Sequence, residues 1–191
     1  MSTNSVVAYL NEDGSVVSSY VHYDGYETGV GMMLLEHYNT DKCARDLAST
    51  LGYASSLSET VAESHADRVH TDEPETFESM EEFELYLMEN SHLEFGYLWT
   101  GGKWMVASWT TTVEGTGPYA EYNSTWNGFA WLVPAFVRSG RKTVDRFRDL
   151  ALEDNREGRN EYDEFADELE VTVDKWHRYG MSEIASEAMA A

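Results

Sequence analysis

The chain has 191 residues, with 35 Asp and Glu against 13 Lys and Arg, a formal net charge of −22. That excess argues against a broad basic face for duplex DNA or RNA. With 42% hydrophobic and 13% aromatic residues, it carries too much core-forming material for a disordered acidic tail.

No run of about 18 apolar residues is available to span a bilayer. The opening Met1 to Ser5 has neither a basic start nor an apolar stretch, so no secretory leader is expected. The single cysteine, Cys43, has no internal disulfide partner and fits a reducing compartment.

Val6 to Leu10 and Val16 to Tyr23 are two β-prone runs separated by Asn11-Glu12-Asp13-Gly14. An Asp-Gly pair between apolar runs predicts a hairpin. Gly25, Gly29 and Gly31 punctuate a turn, after which Met32 to Tyr38 reads as a short helix. Thr40 or Asp41 can cap a second helix reaching about Leu51, with Gly52 as its stop. Residues 55–63 read as a turn or short helix, and 64–76 as a polar loop. Ser79 with Glu82 matches a capping box. Met80, Phe83 and Leu87 then recur at helical spacing, predicting a helix over 79–90.

Phe95 to Trp99 and Trp104 to Val113 flank Thr100-Gly101-Gly102-Lys103 and predict a second hairpin. Residues 114–128, with Gly115, Gly117, Pro118 and Gly128, read as an aromatic-rich loop. Helices are expected over 129–138, 141–154 and 160–178. Pro134 should kink or delay the first, and Gly180 should stop the last before a short tail helix. The class is α+β: a small antiparallel sheet from two hairpins with packed helices over 1–113, then a helical region over 129–191.

The acids are unevenly distributed. Residues 1–100 hold 19 acids and 3 bases, and between Glu59 and Glu94 there are 12 acids with only Arg68 against them. Glu78, Glu81, Glu82, Glu84 and Glu89 fall on about 18 Å of helix axis at ~1.5 Å per residue. The spacing approaches the ~3.4 Å between phosphates on one DNA strand. Like charges at helical spacing cost stability. A solvated face is the ordinary explanation, and adaptation to high salt is another. Against the latter, Glu outnumbers Asp 23 to 12; for it, lysines number four against nine arginines.

Other constellations are weaker. His22 with Asp24, or His65 with Asp67 and His70, offers metal-ligand types, but no His-Glu-x-x-His pair occurs. Glu27 would repel a phosphate from the glycine turn, and no Gly-Lys-Ser/Thr follows it. No serine sits in a Gly-x-Ser-x-Gly elbow, and Cys43 falls within a predicted helix. Trp99, Trp104 and Trp109 belong mainly to a core but can also wall a pocket for a planar ligand. Arg138, Arg141, Lys142, Arg146 and Arg148 form a basic run. It can answer the acids of 161–174 within one molecule or in a second copy, which leaves a homodimer open.

The run His22-Tyr23-Asp24-Gly25-Tyr26-Glu27-Thr28-Gly29-Val30-Gly31, followed by Leu34-Leu35-Glu36-His37-Tyr38, resembles a family of small tailed-bacteriophage proteins. Those carry a hairpin ending in a His-Trp-Asp-Gly-Tyr-Pro-Glu-Gly-Val-Gly type run, then a Leu-Leu-x-His-Tyr helix. The hairpin around Tyr97-Leu98-Trp99 and Gly102-Lys103-Trp104-Met105-Val106 is similar to the family's second hairpin. Tyr23 stands where the family tends to have Trp, and Glu27-Thr28 where it tends to have Pro-Glu. The resemblance spans roughly 5–52 and 95–107. It implies a viral protein acting in the cytoplasm of a bacterial cell, with hardly any activity attached. Within it, His22, Asp24, Gly25, Gly29 and Gly31 are expected to hold a backbone turn.

The expected function is non-enzymatic, without metal or cofactor. An acidic face of Glu73, Glu75, Glu78, Glu81, Glu82, Glu84 and Glu89 would bind and block a host nucleic-acid-binding protein, by DNA mimicry, with no direct contact to nucleic acid or membrane. The alternatives are a nucleotide or small-molecule binder using the tryptophan-rich hairpin, and a salt-adapted accessory protein.

Overall fold

The computed structural model describes residues 3–66, 72–114, 121–153 and 161–190. The chain divides into two compact units, 1–131 and 132–191. The first is built on a seven-stranded mixed sheet, and the class is α+β.

β1 (Asn4–Leu10) and β2 (Val16–Val21) form the predicted hairpin, with Gly14 at φ +87° in its turn. A π-helical turn, Glu27–Gly31, leads into α1 (Met32–His37). α2 (Asp41–Thr50) is capped by the Thr40 hydroxyl, which accepts from the Cys43 N–H at 3.3 Å. Gly52 ends it at φ +65°. Then follow β3 (Tyr53–Ala54), α3 (Val61–Ala66), β4 (Glu75–Phe77) and α4 (Met80–Glu89). β5 (Leu93–Thr100), β6 (Lys103–Glu114) and β7 (Glu121–Trp131) complete the sheet.

Its order is β3-β2-β1-β5-β6-β7, with β4 also pairing β2. The sheet is mixed, not the antiparallel one expected: β1 and β5 run parallel, Val7 opposite Tyr97. Each predicted hairpin is present, but the chain passes through α1 to α4 between them and returns to the far edge of β1. Val6, Val7, Ala8 and Tyr9 are all buried. A strand buried on both sides reads as a continuous apolar run, and β1 is such a run.

On one face Val6, Ala8, Val16, Leu93 and Leu98 pack with Phe77, Phe83 and Leu87, which seats α4. Gly96 permits that approach, since a Cβ there would lie 2.7 Å from Leu87 Cδ1. On the other face lie α1 and α2. There the Trp104 indole donates to the Tyr38 carbonyl (3.1 Å), and the Ser19 hydroxyl donates to that of Ala48 (2.8 Å).

Three further expectations are corrected. Much of the expected loop 114–128 is strand, because β7 begins at Glu121 and pairs with β6 through Trp109–Trp126 and Thr110–Thr125. Gly128 signals a break there, but Thr125, Trp126 and Phe129 are strand formers and prevail. Within the expected loop 64–76, residues 64–66 belong to α3 and 75–77 to β4. The expected 129–138 and 141–154 helices are one helix, α5 (Leu132–Glu153). Pro134 occupies its first turn, where no intrahelical N–H bond is lost.

The last helix, α6 (Glu161–Ala190), continues through Gly180. Glycine costs about 1 kcal/mol against alanine in a helix interior, yet Gly180 is buried in the packed pair. α5 and α6 pack on one another: Phe147 meets Phe165 at 4.6 Å and Tyr162 at 5.8 Å between ring centroids. Arg148 pairs with Asp167 (3.6 Å) and Glu170. At Arg148 the basic run therefore answers the acidic helix within one molecule. Residues 67–71, 115–120 and 154–160 lie outside the described residues, and with them Asp67, Arg68, His70, Gly115, Gly117, Pro118 and Tyr119.

Candidate functional site

The acidic helix α4 exists because one stripe of it is apolar and its start is capped. The Ser79 hydroxyl accepts from the Glu82 N–H at 3.2 Å. The returning carboxylate of Glu82 takes the N–H of Glu78 (2.6 Å), one residue earlier than in an ordinary capping box. Phe83 and Leu87 are wholly buried, and they fix which glutamates face outward.

Glu81, Glu82 and Glu89 are exposed on the helix, as is Glu78 just before it; Glu84 is half-buried. At about 100° per residue, Glu81, Leu85 and Met88 fall along one line, with Glu82 and Glu89 on one side of it and the half-buried Glu84 on the other. Leu85 is 52% exposed and Met88 48%. The outward face of α4 is thus acidic with an apolar centre. The charge arithmetic missed this, although the spacing of Leu85 and Met88 away from the Phe83 stripe was there to read.

Glu73 and Glu75 stand apart from the helix. β4 lies antiparallel beside the first half of β2, with Glu75 opposite Ser18. β3 takes the other half, with Tyr53 opposite Tyr20. Where these two short strands share one edge, a cleft of about 260 Å³ is lined by Ser18, Tyr20, Tyr53, Glu73, Glu75 and Tyr86, with Val6, Gly52 and Asp72.

The rings of Tyr20 and Tyr53 stack at 5.5 Å and 28°. Tyr20 is held further by its hydroxyl, 3.1 Å from His22 Nδ1. Burial pushes the Tyr86 hydroxyl up to about 12, and the charge and hydrogen bond of Glu75 add to it. Tyr86 thus remains a neutral phenol. No Lys or Arg occurs between residues 72 and 102. Among the described residues, no ion pair involves Glu73, Glu75, Glu78, Glu81, Glu82, Glu84 or Glu89.

The glycine turn serves backbone geometry. Gly25 donates to the Thr3 carbonyl at 2.8 Å and accepts from the Tyr97 hydroxyl at 2.8 Å. A Cβ on Gly25 would meet Thr3 O at 2.6 Å, and one on Gly29 would meet Asp24 O at 2.2 Å. Asp24 sits at φ +59°. Its carboxylate accepts from the Tyr26 hydroxyl (3.0 Å). Its carbonyl accepts from the Val30 N–H (2.7 Å). His22 packs edge-on to Tyr23 and beside Tyr53, so it connects the turn to the cleft wall. Gly31 is the N-cap of α1 and is buried.

Compared with known proteins, the chain has no match: no family model, no curated protein and no solved structure matches it.

The three tryptophans do not share one wall. Trp99 and Trp104 are buried and meet edge to face at 5.4 Å, with the Trp99 indole donating to Asp41 (3.3 Å). Trp109 packs on Trp126 at 5.4 Å. None of the three lines the cleft. Among the described residues no three His, Cys, Asp or Glu side chains converge to hold a metal ion, and no helix is long and apolar enough to cross a membrane. In the second unit, Arg138, Arg141, Lys142 and His177 rim an apolar groove with Val137, Met181 and Ile184 on its walls.

Proposed function

We propose that this protein, phage-encoded as its glycine-turn motif suggests, binds a host nucleic-acid-binding protein and blocks its basic surface. The observation that carries the reading is the run of exposed carboxylates on β4 and α4, with no ion-pair partner among the described residues and no Lys or Arg in the sequence from 72 to 102.

An unpaired carboxylate retains its full attraction for an incoming cation. Two unit charges 4 Å apart gain about 1 kcal/mol in water, and about 4 kcal/mol at the effective dielectric of a protein surface. Several such contacts steer and hold a basic partner, and they fade once the screening length falls toward ~3 Å at 1 M salt.

Leu85 and Met88 supply what a bare polyanion lacks. Interfaces bury an apolar centre inside a polar rim, and α4 presents that arrangement. The mimicry is therefore of charge and not of DNA surface as a whole, and the apolar centre selects a protein partner over loose cations.

Immobilised protein exposed to bacterial lysate should retain a nucleic-acid-binding protein at low salt, release it at high salt, and release it to added duplex DNA. The Glu78→Gln/Glu81→Gln/Glu82→Gln/Glu89→Gln variant should not retain it. Retention indifferent to salt, or equal retention by the variant, would overturn the reading.

A further inference from the structure

We infer that the cleft between β3 and β4 is a binding site for an alkylammonium group. This goes beyond the acidic face of α4 and holds whether or not that face meets a protein. Residues of β1, β2, β3, β4 and α4 and of the segment before β4 build it, and they bring together features that favour a cation. Tyr20, Tyr53 and Tyr86 line it, and the first two are locked by stacking. Aromatic faces attract ammonium groups within about 6 Å of the ring centroid. Glu73 and Glu75 contribute negative charge from the same wall.

Ser18 lies at the base of the cleft, 2% exposed. Its hydroxyl has no hydrogen-bond partner among the described residues. The hydroxyl faces the cleft that Ser18 lines and can accept from a ligand N–H entering it.

The donor count selects the ligand class. An ammonium has three N–H donors and no acceptor, and the lining offers acceptors only of the kind it needs, the carboxylates of Asp72, Glu73 and Glu75 and the hydroxyl of Ser18. A guanidinium presents five donors in a rigid planar fork that wants bidentate partners on one plane. A bare metal ion needs ligands converging on a point, and these carboxylates do not converge so. The volume of about 260 Å³ lies below the ~300–1,000 Å³ of sites for drug-sized ligands, which suits a slender chain over a planar base. The ammonium can belong to a free polyamine or to a lysine side chain of a protein. In the second case alone the inference rests on the function proposed above.

Calorimetric titration of the full chain with spermidine and with Nα-acetyl-lysine methylamide tests it. At least one should bind saturably at a single site, and the tighter of the two identifies the source. Glu73→Gln/Glu75→Gln should weaken binding about tenfold or more, and Tyr53→Leu about threefold or more. Glu12→Gln/Asp46→Asn removes as much exposed charge outside both the cleft and the acidic face and should leave affinity within twofold. Circular dichroism confirms that each variant is folded. Absence of saturable binding by both probes, displacement by equimolar Mg²⁺, or equal weakening by the Glu12→Gln/Asp46→Asn variant would overturn the inference. None of these results depends on capturing a host protein, so failure here and failure of the proposed function are separable.

Discussion

Phe83→Ala is expected to lower the unfolding free energy by about 3–5 kcal/mol, the cost of emptying an aromatic site in a well-packed core. Phe83 is wholly buried and touches two other aromatic rings, Phe77 at 5.2 Å and Phe129 at 6.1 Å. Its neighbours Val6, Ala8 and Leu98 belong to strands held on both sides by sheet pairing. They cannot collapse into the void, so the loss should fall toward the upper end.

The functional consequence is specific. With Leu87, Phe83 fixes the rotation of α4, and that rotation decides which glutamates face outward. Leu85→Ala, on the exposed side of the same helix, should change stability by less than about 0.5 kcal/mol. Urea unfolding followed by circular dichroism distinguishes the two. A Phe83→Ala loss below about 1 kcal/mol would mean that α4 is not anchored as described.

The second large effect is expected at the glycine turn. Gly29→Ala would place a methyl carbon 2.2 Å from the carbonyl oxygen of Asp24. That oxygen cannot step aside cheaply, because it accepts the Val30 N–H and belongs to a residue already at positive φ. Inserting atoms where the surroundings cannot yield costs typically 1–3 kcal/mol, and about 3 kcal/mol is expected here. Gly14→Ala is the control. Its φ of +87° disfavours a side chain, but no atom lies within 4 Å, so the cost should be only the ~1–2 kcal/mol of a left-handed alanine. A larger loss at Gly14 than at Gly29, by the same urea measurement, would contradict the packing described for the turn.

What the sequence shows and what it hides follow from range. Ser79 and Glu82 could be read as a helix start because a cap is settled within four residues. Thr40, Gly52 and the Asp13-Gly14 turn were legible for the same reason. The parallel pairing of Val7 with Tyr97 spans 90 positions, and nothing local marks it except the unbroken burial of Val6 to Tyr9. β7 was hidden because Gly128 outweighed Thr125 and Trp126, which pair with Thr110 and Trp109.

The acidic composition marked the stretch from Glu59 to Glu94 but could not sort it. Glu84 turns partly inward and Leu85 and Met88 turn outward, because the stripe of Phe83 and Leu87 sets the helix on the sheet. The cleft was not legible at all: Ser18, Tyr20, Tyr53, Glu75 and Tyr86 lie on four separate elements, and only the shared edge of β2 brings them together.

The proposed role of the carboxylates on β4 and α4 is to occupy a cationic surface that otherwise meets phosphate. DNA-cellulose charged with bacterial lysate and then washed at low salt with the purified protein tests this most directly. A discrete DNA-binding protein should elute with the wild-type chain and stay on the column with the Glu78→Gln/Glu81→Gln/Glu82→Gln/Glu89→Gln variant. Elution of nothing, or of the same proteins by both chains, would contradict it.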